Sequence, residues 1–237
     1  MLSSLELDSL LFFDIETVPV SSSYDELDEE MQELFDIKTA YQRKDGQTAS
    51  EFYERAGIWA EFGKVVCISV GYFTYKNGDR QFRVKSFAGE ERVLLEEFSN
   101  LIEGYFRDPS RMLCGHNIRE FDIPFVVRRM LINGVKIPNK LCMFGKKPWE
   151  VNHLDTMELW KIGDYKNFTS LKLLTRILDI PSPKDDIDGS EVAKVYYEDN
   201  NIDRIIVYCE KDVVAVAQVL LRFKREELLS FEEILSV

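Results

Sequence analysis

The stretch Phe12–Pro19, reading FFDIETVP, constrains this chain more than any other. An apolar run from Leu10 to Phe13 leads into Asp14 and Glu16, and on an extended strand residues two apart point to the same face. Two carboxylates side by side at the end of a buried strand repel each other and resist leaving water unless a positive charge lies between them. A divalent cation meets that need, and further oxygen ligands are then expected elsewhere in the chain.

Two other segments place acids where packing alone would not want them. Gly115-His116-Asn117 through Phe121-Asp122 crosses from a strand end into a helix start, the place where ligands gather in α/β sheets. Tyr208 and Asp212 stand four apart on the last helix and so share one face, which continues through the apolar residues Ala215, Val219 and Phe223. A carboxylate at the edge of such a stripe needs a cation or a strong hydrogen-bond partner. Asp14, Glu16, Asp122 and Asp212 converging without metal would raise one another's pKa values. Two Mg²⁺ or Mn²⁺ ions balance the four charges, and hard oxygen donors suit these ions rather than zinc. A metal pair about 3.5–4 Å apart activates water and stabilises the leaving oxygen of an in-line phosphoryl displacement. The chemistry that fits is phosphodiester hydrolysis.

The chain has 237 residues, 45% of them hydrophobic, enough for one sizeable core. We expect a single domain over residues 1–237 with a mainly helical insertion at about 18–62. No apolar run is long enough to span a bilayer, and the N-terminus has neither a basic n-region nor a small-residue cleavage site, so a cytoplasmic protein without membrane contact is expected. The four cysteines form no CxxC pair and read as reduced thiols; Cys114, His116, Cys142 and His153 match no compact zinc spacing. A net charge of -12 weighs against a nucleic-acid partner. The charge is uneven, however: Arg111–Pro148 carries eight bases against two acids, a balance of +6, and beyond about 8 Å exposed charges are largely screened, so local balance matters more than the total.

Strands are expected at Lys64–Lys76 and Arg80–Phe87 around an Asn77-Gly78 hairpin turn, at Met112–Asn117, and at Val151–Thr156. Helices are expected at Tyr24–Asp36, Ala49–Phe62, Glu90–Tyr105, Arg119–Asn133, Thr169–Leu178, Ser190–Glu198 and Ile202–Glu227, with Glu90 and Glu91 favourably placed at a helix N-terminus. A hairpin feeding alternating strand and helix units implies a mixed sheet with helices on both faces. His116, beside Asn117, reads as a satisfied core histidine, and Asp155 as the cap of the following helix.

FDIET, then GHNxxxFD (Gly115–Asp122), then YxxxD (Tyr208–Asp212) resemble the three motifs of the DEDDy 3′-to-5′ exonucleases. The likeness is to the proofreading domain of family B DNA polymerases and the stand-alone predicted exonucleases related to it. The resemblance implies a ribonuclease H-like fold with a five-stranded mixed sheet and a two-metal mechanism. Carried over by motif, Asp14, Glu16, Asp122 and Asp212 hold the metals and Tyr208 orients the attacking water. Glu16 and the Thr17 backbone meet the 3′-terminal hydroxyl, and Asn117 supports the second motif. Single-strand binding calls for aromatic and basic groups, for which Arg119, Phe121, Phe125, Lys146 and Lys147 are candidates. The expected activity is a metal-dependent exonuclease on single-stranded DNA 3′ ends, with an RNA exonuclease or a silent end-binding module as alternatives. No polymerase domain is expected after Asp212, so if the enzyme proofreads it does so in trans beside a separate polymerase or repair partner, and degradation or trimming of free 3′ ends is equally open.

Overall fold

The strand β1 (Leu10–Pro19) is apolar on both faces at its start, and the fold builds outward from it. The computed structural model describes residues 2–164, 166, 168–181 and 187–237. β1 pairs antiparallel with β2 (Gly63–Lys76), which turns into β3 (Asp79–Ala88). Asn77 and Gly78 carry the turn with φ of 55° and 92°, the left-handed conformations that a tight hairpin requires. On its other side β1 pairs parallel with β4 (Met112–Gly115), and β4 with β5 (Leu154–Asp155). A sixth strand, β6 (Ile234–Ser236), lies parallel to β3, so the order is β5-β4-β1-β2-β3-β6.

Five strands were expected, and β6 is the difference. Three residues carry too little pattern to announce a strand, and what holds them is distant. Arg80 donates to Glu233 Oε1 at 2.8 Å and to the carbonyls of Glu227 and Leu228 at 2.9 and 3.1 Å, drawing the tail onto the sheet edge.

The helices are α1 (Glu29–Thr39), α2 (Ala49–Phe52), α3 (Glu91–Tyr105), α4 (Asp122–Ile132), α5 (Thr156–Lys161), α6 (Leu171–Ile177), α7 (Val192–Tyr197) and α8 (Ile202–Lys224). Leu11, Phe13 and Ile15 of β1 pack under Leu94, Leu95 and Phe98 of α3 and Ile123, Val126 and Met130 of α4. Leu10 and Phe12 face the other way, under Val213, Val216, Ala217 and Leu220 of α8. Val18, further along that second face, packs with Ile205 and Cys209 of α8 and Val192 of α7. Asp14 and Glu16 therefore lie between two apolar clusters, both roofed by α8. Among the described residues no helix is long and apolar enough to cross a membrane.

Residues 18–62 are less helical than expected. Asp28 caps α1 by accepting from Met31 N at 2.8 Å, but the second helix is a single α turn with a Thr48–Glu51 capping box, followed by the tighter turn Tyr53–Ile58. Gly57 sits against β1, where a Cβ would come 3.2 Å from the Val18 backbone. Phe35, Phe52, Tyr53 and Phe62 give this segment its own aromatic core. Glu90 caps α3 through Arg92 N and Val93 N, but Glu91 is spent differently: it forms a buried bidentate pair with Arg129 at 2.6 and 2.8 Å and accepts from Val65 N at 2.7 Å. Arg129 thus leaves the basic surface tallied from the sequence.

Candidate active site

Each acidic side chain reaches the site for a local reason. β4 ends at Gly115, its last pairing with β1 being Phe12–Cys114, so the edge of β1 is open beyond that point. Asp122, in the first turn of α4, comes to this open edge, where the Ile15 backbone acts on its carboxylate. The crossing from β4 to α4 is tight. A Cβ on Gly115 would meet Ile118 Cγ2 at 1.9 Å and the Phe13 carbonyl at 2.9 Å, and Asn117 is left-handed at φ 66°, a conformation asparagine tolerates better than most residues. Asp155 pins this turn by accepting from Asn117 N at 2.9 Å and Arg119 N at 3.2 Å, while also capping α5 through Met157 N at 3.0 Å. From the roof, the Tyr208 hydroxyl shares a hydrogen bond with Asp212. The next residue, Cys209, lies 3.6 Å from Asp14 Oδ2. A β-bulge falls between Glu16 and Thr17, a device common beside active sites because it re-aims side chains.

The electrostatics follow from burial. Asp14 is held well above the usual carboxylate range, first by burial and then by the charges of Asp122, Asp212 and Glu16. Glu16 is raised by burial and by Asp212, Cys67 and Asp122. Asp122 is pushed up to about 8 by burial, Asp155 and Asp212, against the lowering effect of its own N–H and that of Ile15. Burial and Asp212 raise the Tyr208 phenol above its ordinary range, so it stays neutral. Asp122 Oδ1 and Asn117 Oδ1 are buried without a hydrogen-bond partner, a cost that a hard cation or a bound substrate group would remove. Four carboxylates, mutual repulsion and an orphaned carboxylate oxygen fit a divalent metal such as Mg²⁺ or Mn²⁺.

Over residues 58–230 the sequence matches the family described as predicted 3′-5′ exonuclease related to the exonuclease domain of PolB. The chain belongs to this family. Asp122, Tyr208 and Asp212 fall within the part matched to the PolB-related exonucleases, while Asp14 and Glu16 precede it. Membership supports nuclease activity and a nucleic-acid substrate, and exonuclease domains of this kind use divalent metals. The structure is similar to the family B DNA polymerase from the hyperthermophilic archaeon Pyrobaculum calidifontis, over 90% of this chain and 24% of that one, with 18% identity and a TM-score of 0.50. That likeness is one of fold: a mixed α/β, ribonuclease H-like domain, here with six strands.

The remaining sequence candidates are placed unequally. Thr17 donates through Oγ1 to the Gly57 carbonyl at 2.8 Å, tying β1 beside Glu16 to residues 18–62. Phe121 is half-buried, its ring 5.5 Å from that of Phe125. Phe125 itself is 2% exposed within the core, so it backs Phe121 and offers no face to a base, correcting the sequence expectation. Lys146 and Lys147 are exposed on a loop whose Lys140 is bonded at 2.6 Å to the carbonyls of Asp108 and Arg111, at the end of β4 away from the carboxylates. The same loop holds two aromatics that sequence reasoning passed over, Phe144 at 94% and Trp149 at 77% exposure; their interleaving with lysines in FGKKPW was the available signal. His116 is a satisfied histidine, bonded to the Thr169 carbonyl at 2.8 Å and Thr156 Oγ1 at 2.9 Å.

Proposed function

We propose that this protein is a metal-dependent 3′-to-5′ exonuclease that hydrolyses phosphodiester bonds at single-stranded DNA ends by a two-metal mechanism, acting in the cytoplasm beside a separate polymerase or repair partner. The observation that supports this reading is the mutual repulsion of Asp14 and Glu16 with Asp122 and Asp212, together with a buried Asp122 Oδ1 that has no partner in the protein. Asp14, Glu16, Asp122 and Asp212 hold the two Mg²⁺ or Mn²⁺ ions, which supply charge stabilisation for the attacking water and the leaving oxygen. Tyr208, neutral and hydrogen-bonded to Asp212, directs a phenolic lone pair at the attacking water and orients it. Glu16 and the Thr17 backbone receive the terminal 3′ hydroxyl. Asn117 offers its unpaired Oδ1 to the substrate, and Phe121 stacks on the terminal base. Arg119 and the loop of Lys146, Lys147, Phe144 and Trp149 attract the strand upstream.

The test is incubation of the protein with 5′-labelled single-stranded DNA, mismatched duplex and RNA, in Mg²⁺, Mn²⁺ or chelator, beside Asp14→Ala. A ladder that shortens from the 3′ end only with metal, fastest on single-stranded DNA and absent in the variant, is expected. Faster shortening of RNA would transfer the substrate to RNA. Binding of 3′ ends without cleavage would replace the enzyme with an end-binding module.

A further inference from the structure

Cys209 adjoins Tyr208 on α8 but turns inward. Its buried thiol donates to the Asp14 carbonyl at 3.5 Å and to Asp14 Oδ2 at 3.6 Å. One oxygen each of Asp14 and Glu16 and the Cys209 sulfur all lie within 4.8 Å of one another. A second buried thiol, Cys67, stands opposite Glu16 in the β1–β2 ladder but lies outside this cluster, its sulfur 3.7 Å from Ser69 Oγ. Mg²⁺ and Mn²⁺ gain nothing from sulfur, whereas a borderline-soft cation takes thiolate and carboxylate together. With metal–sulfur and metal–oxygen bonds of about 2.3 and 2.1 Å, a tetrahedral zinc site sets neighbouring S and O about 3.6 Å apart. That is the separation of Cys209 Sγ from Asp14 Oδ2, 3.6 Å. Asp122, a residue 3% exposed whose charge acts on both Asp14 and Glu16, adds a buried Oδ1 that has no hydrogen-bond partner.

We propose that Asp14, Glu16 and Cys209 form a site for thiophilic divalent cations of the zinc class, completed by solvent, and that such a cation inhibits the enzyme by occupying the two carboxylates the hard ions need. On binding, a metal–sulfur bond replaces the S–H bond of Cys209, the proton passes to solvent, and no oxidation state changes. Inhibition, as distinct from binding, rests on the nuclease function proposed above.

Cadmium serves as the probe, in a Cys142→Ser background that removes the exposed thiol. Metal-free protein titrated with Cd²⁺ is expected to show a saturable thiolate-to-cadmium charge-transfer band in the ultraviolet, lost in Cys209→Ser and retained in Cys67→Ser. Cd²⁺ is expected to release bound Mn²⁺, read from its paramagnetic signal, and to do so at least about ten- to a hundredfold less effectively in Cys209→Ser. Asp14→Asn, which retains both thiols, tests the carboxylate and covers the case in which Cys209→Ser does not fold; it is expected to weaken Cd²⁺ binding. No saturable band, a band unchanged in Cys209→Ser, or Cd²⁺ affinity unchanged in Asp14→Asn overturns the site. A band of the expected kind in a protein without nuclease activity upholds the site and sinks the nuclease reading instead.

Discussion

In the proposed mechanism Tyr208 and Asp155 serve the reaction without being the reacting groups. Replacing Tyr208 by Phe keeps the ring but removes the hydroxyl bonded to Asp212. Single-turnover cleavage is expected to slow by about a hundredfold, the scale on which a misplaced reactant costs rate, while Mn²⁺ binding holds; an unchanged rate removes Tyr208 from the mechanism. Asp155→Ala strips acceptors from Asn117 N, Arg119 N and Met157 N. Loss of a cap and of buried acceptors together is expected to cost about 2–4 kcal/mol, read by urea denaturation. Asp14, Glu16, Tyr208 and Asp212 were legible in the sequence because strand and helix periods set each pair on one face. The turn-pinning role of Asp155 and the contact of Cys209 were not, since their partners lie 38 and 195 residues away and no local pattern encodes them.

At the scale of elements, the placement of the site depends on β1, on the shortness of β4 and on the anchoring of α4. The far end of α4 is fixed by Arg129, which pairs with Glu91 of α3 and donates to the Ala60 carbonyl at 2.8 Å. Glu91→Ala leaves a buried guanidinium uncompensated and is expected to cost about 3–5 kcal/mol, whereas the double change Glu91→Leu with Arg129→Leu is expected to cost much less. Equal losses in chemical denaturation would show that the pair itself supplies the stability. The long periodic elements, β2, β3, α3 and α8, were readable to within a few residues. The two-residue β5 falls inside the strand expected at Val151–Thr156, whereas the three-residue β6 and the six-residue α5 were not expected, because so short a segment is held by its neighbours more than by its own pattern. The packing of Phe125 was hidden for a related reason: periodicity reports that a helix has a buried face but not how deep each ring lies.

For the molecule as a whole, the raised acids couple stability to pH. Below the ordinary aspartate value of 3.8, folded and unfolded states are both protonated and the contribution of Asp122 is fully present. As pH rises, the unfolded carboxyl ionises first while the folded one stays protonated up to about 8, so the unfolded state binds fewer protons and stability falls across that window. Asp14 and Glu16 shift in the same direction and add to the fall. Melting in chelator is therefore expected to weaken between pH 4 and pH 8, and Mg²⁺ to restore part of the loss at pH 8; a chelated protein as stable at pH 8 as at pH 5 would contradict the burial of these acids. The overall charge of -12 coexists with an exposed lysine and aromatic loop, so removing Lys146 and Lys147 together is expected to weaken oligonucleotide binding and flatten its salt dependence.

The central claim is that four carboxylates, those of Asp14, Glu16, Asp122 and Asp212, hold a pair of divalent ions. Counting Mn²⁺ bound per chain, in the intact protein and in Asp122→Asn, tests it most directly. The intact protein is predicted to bind a pair of ions and the variant to lose at least one of them; a single ion bound equally by both, or none, would contradict it.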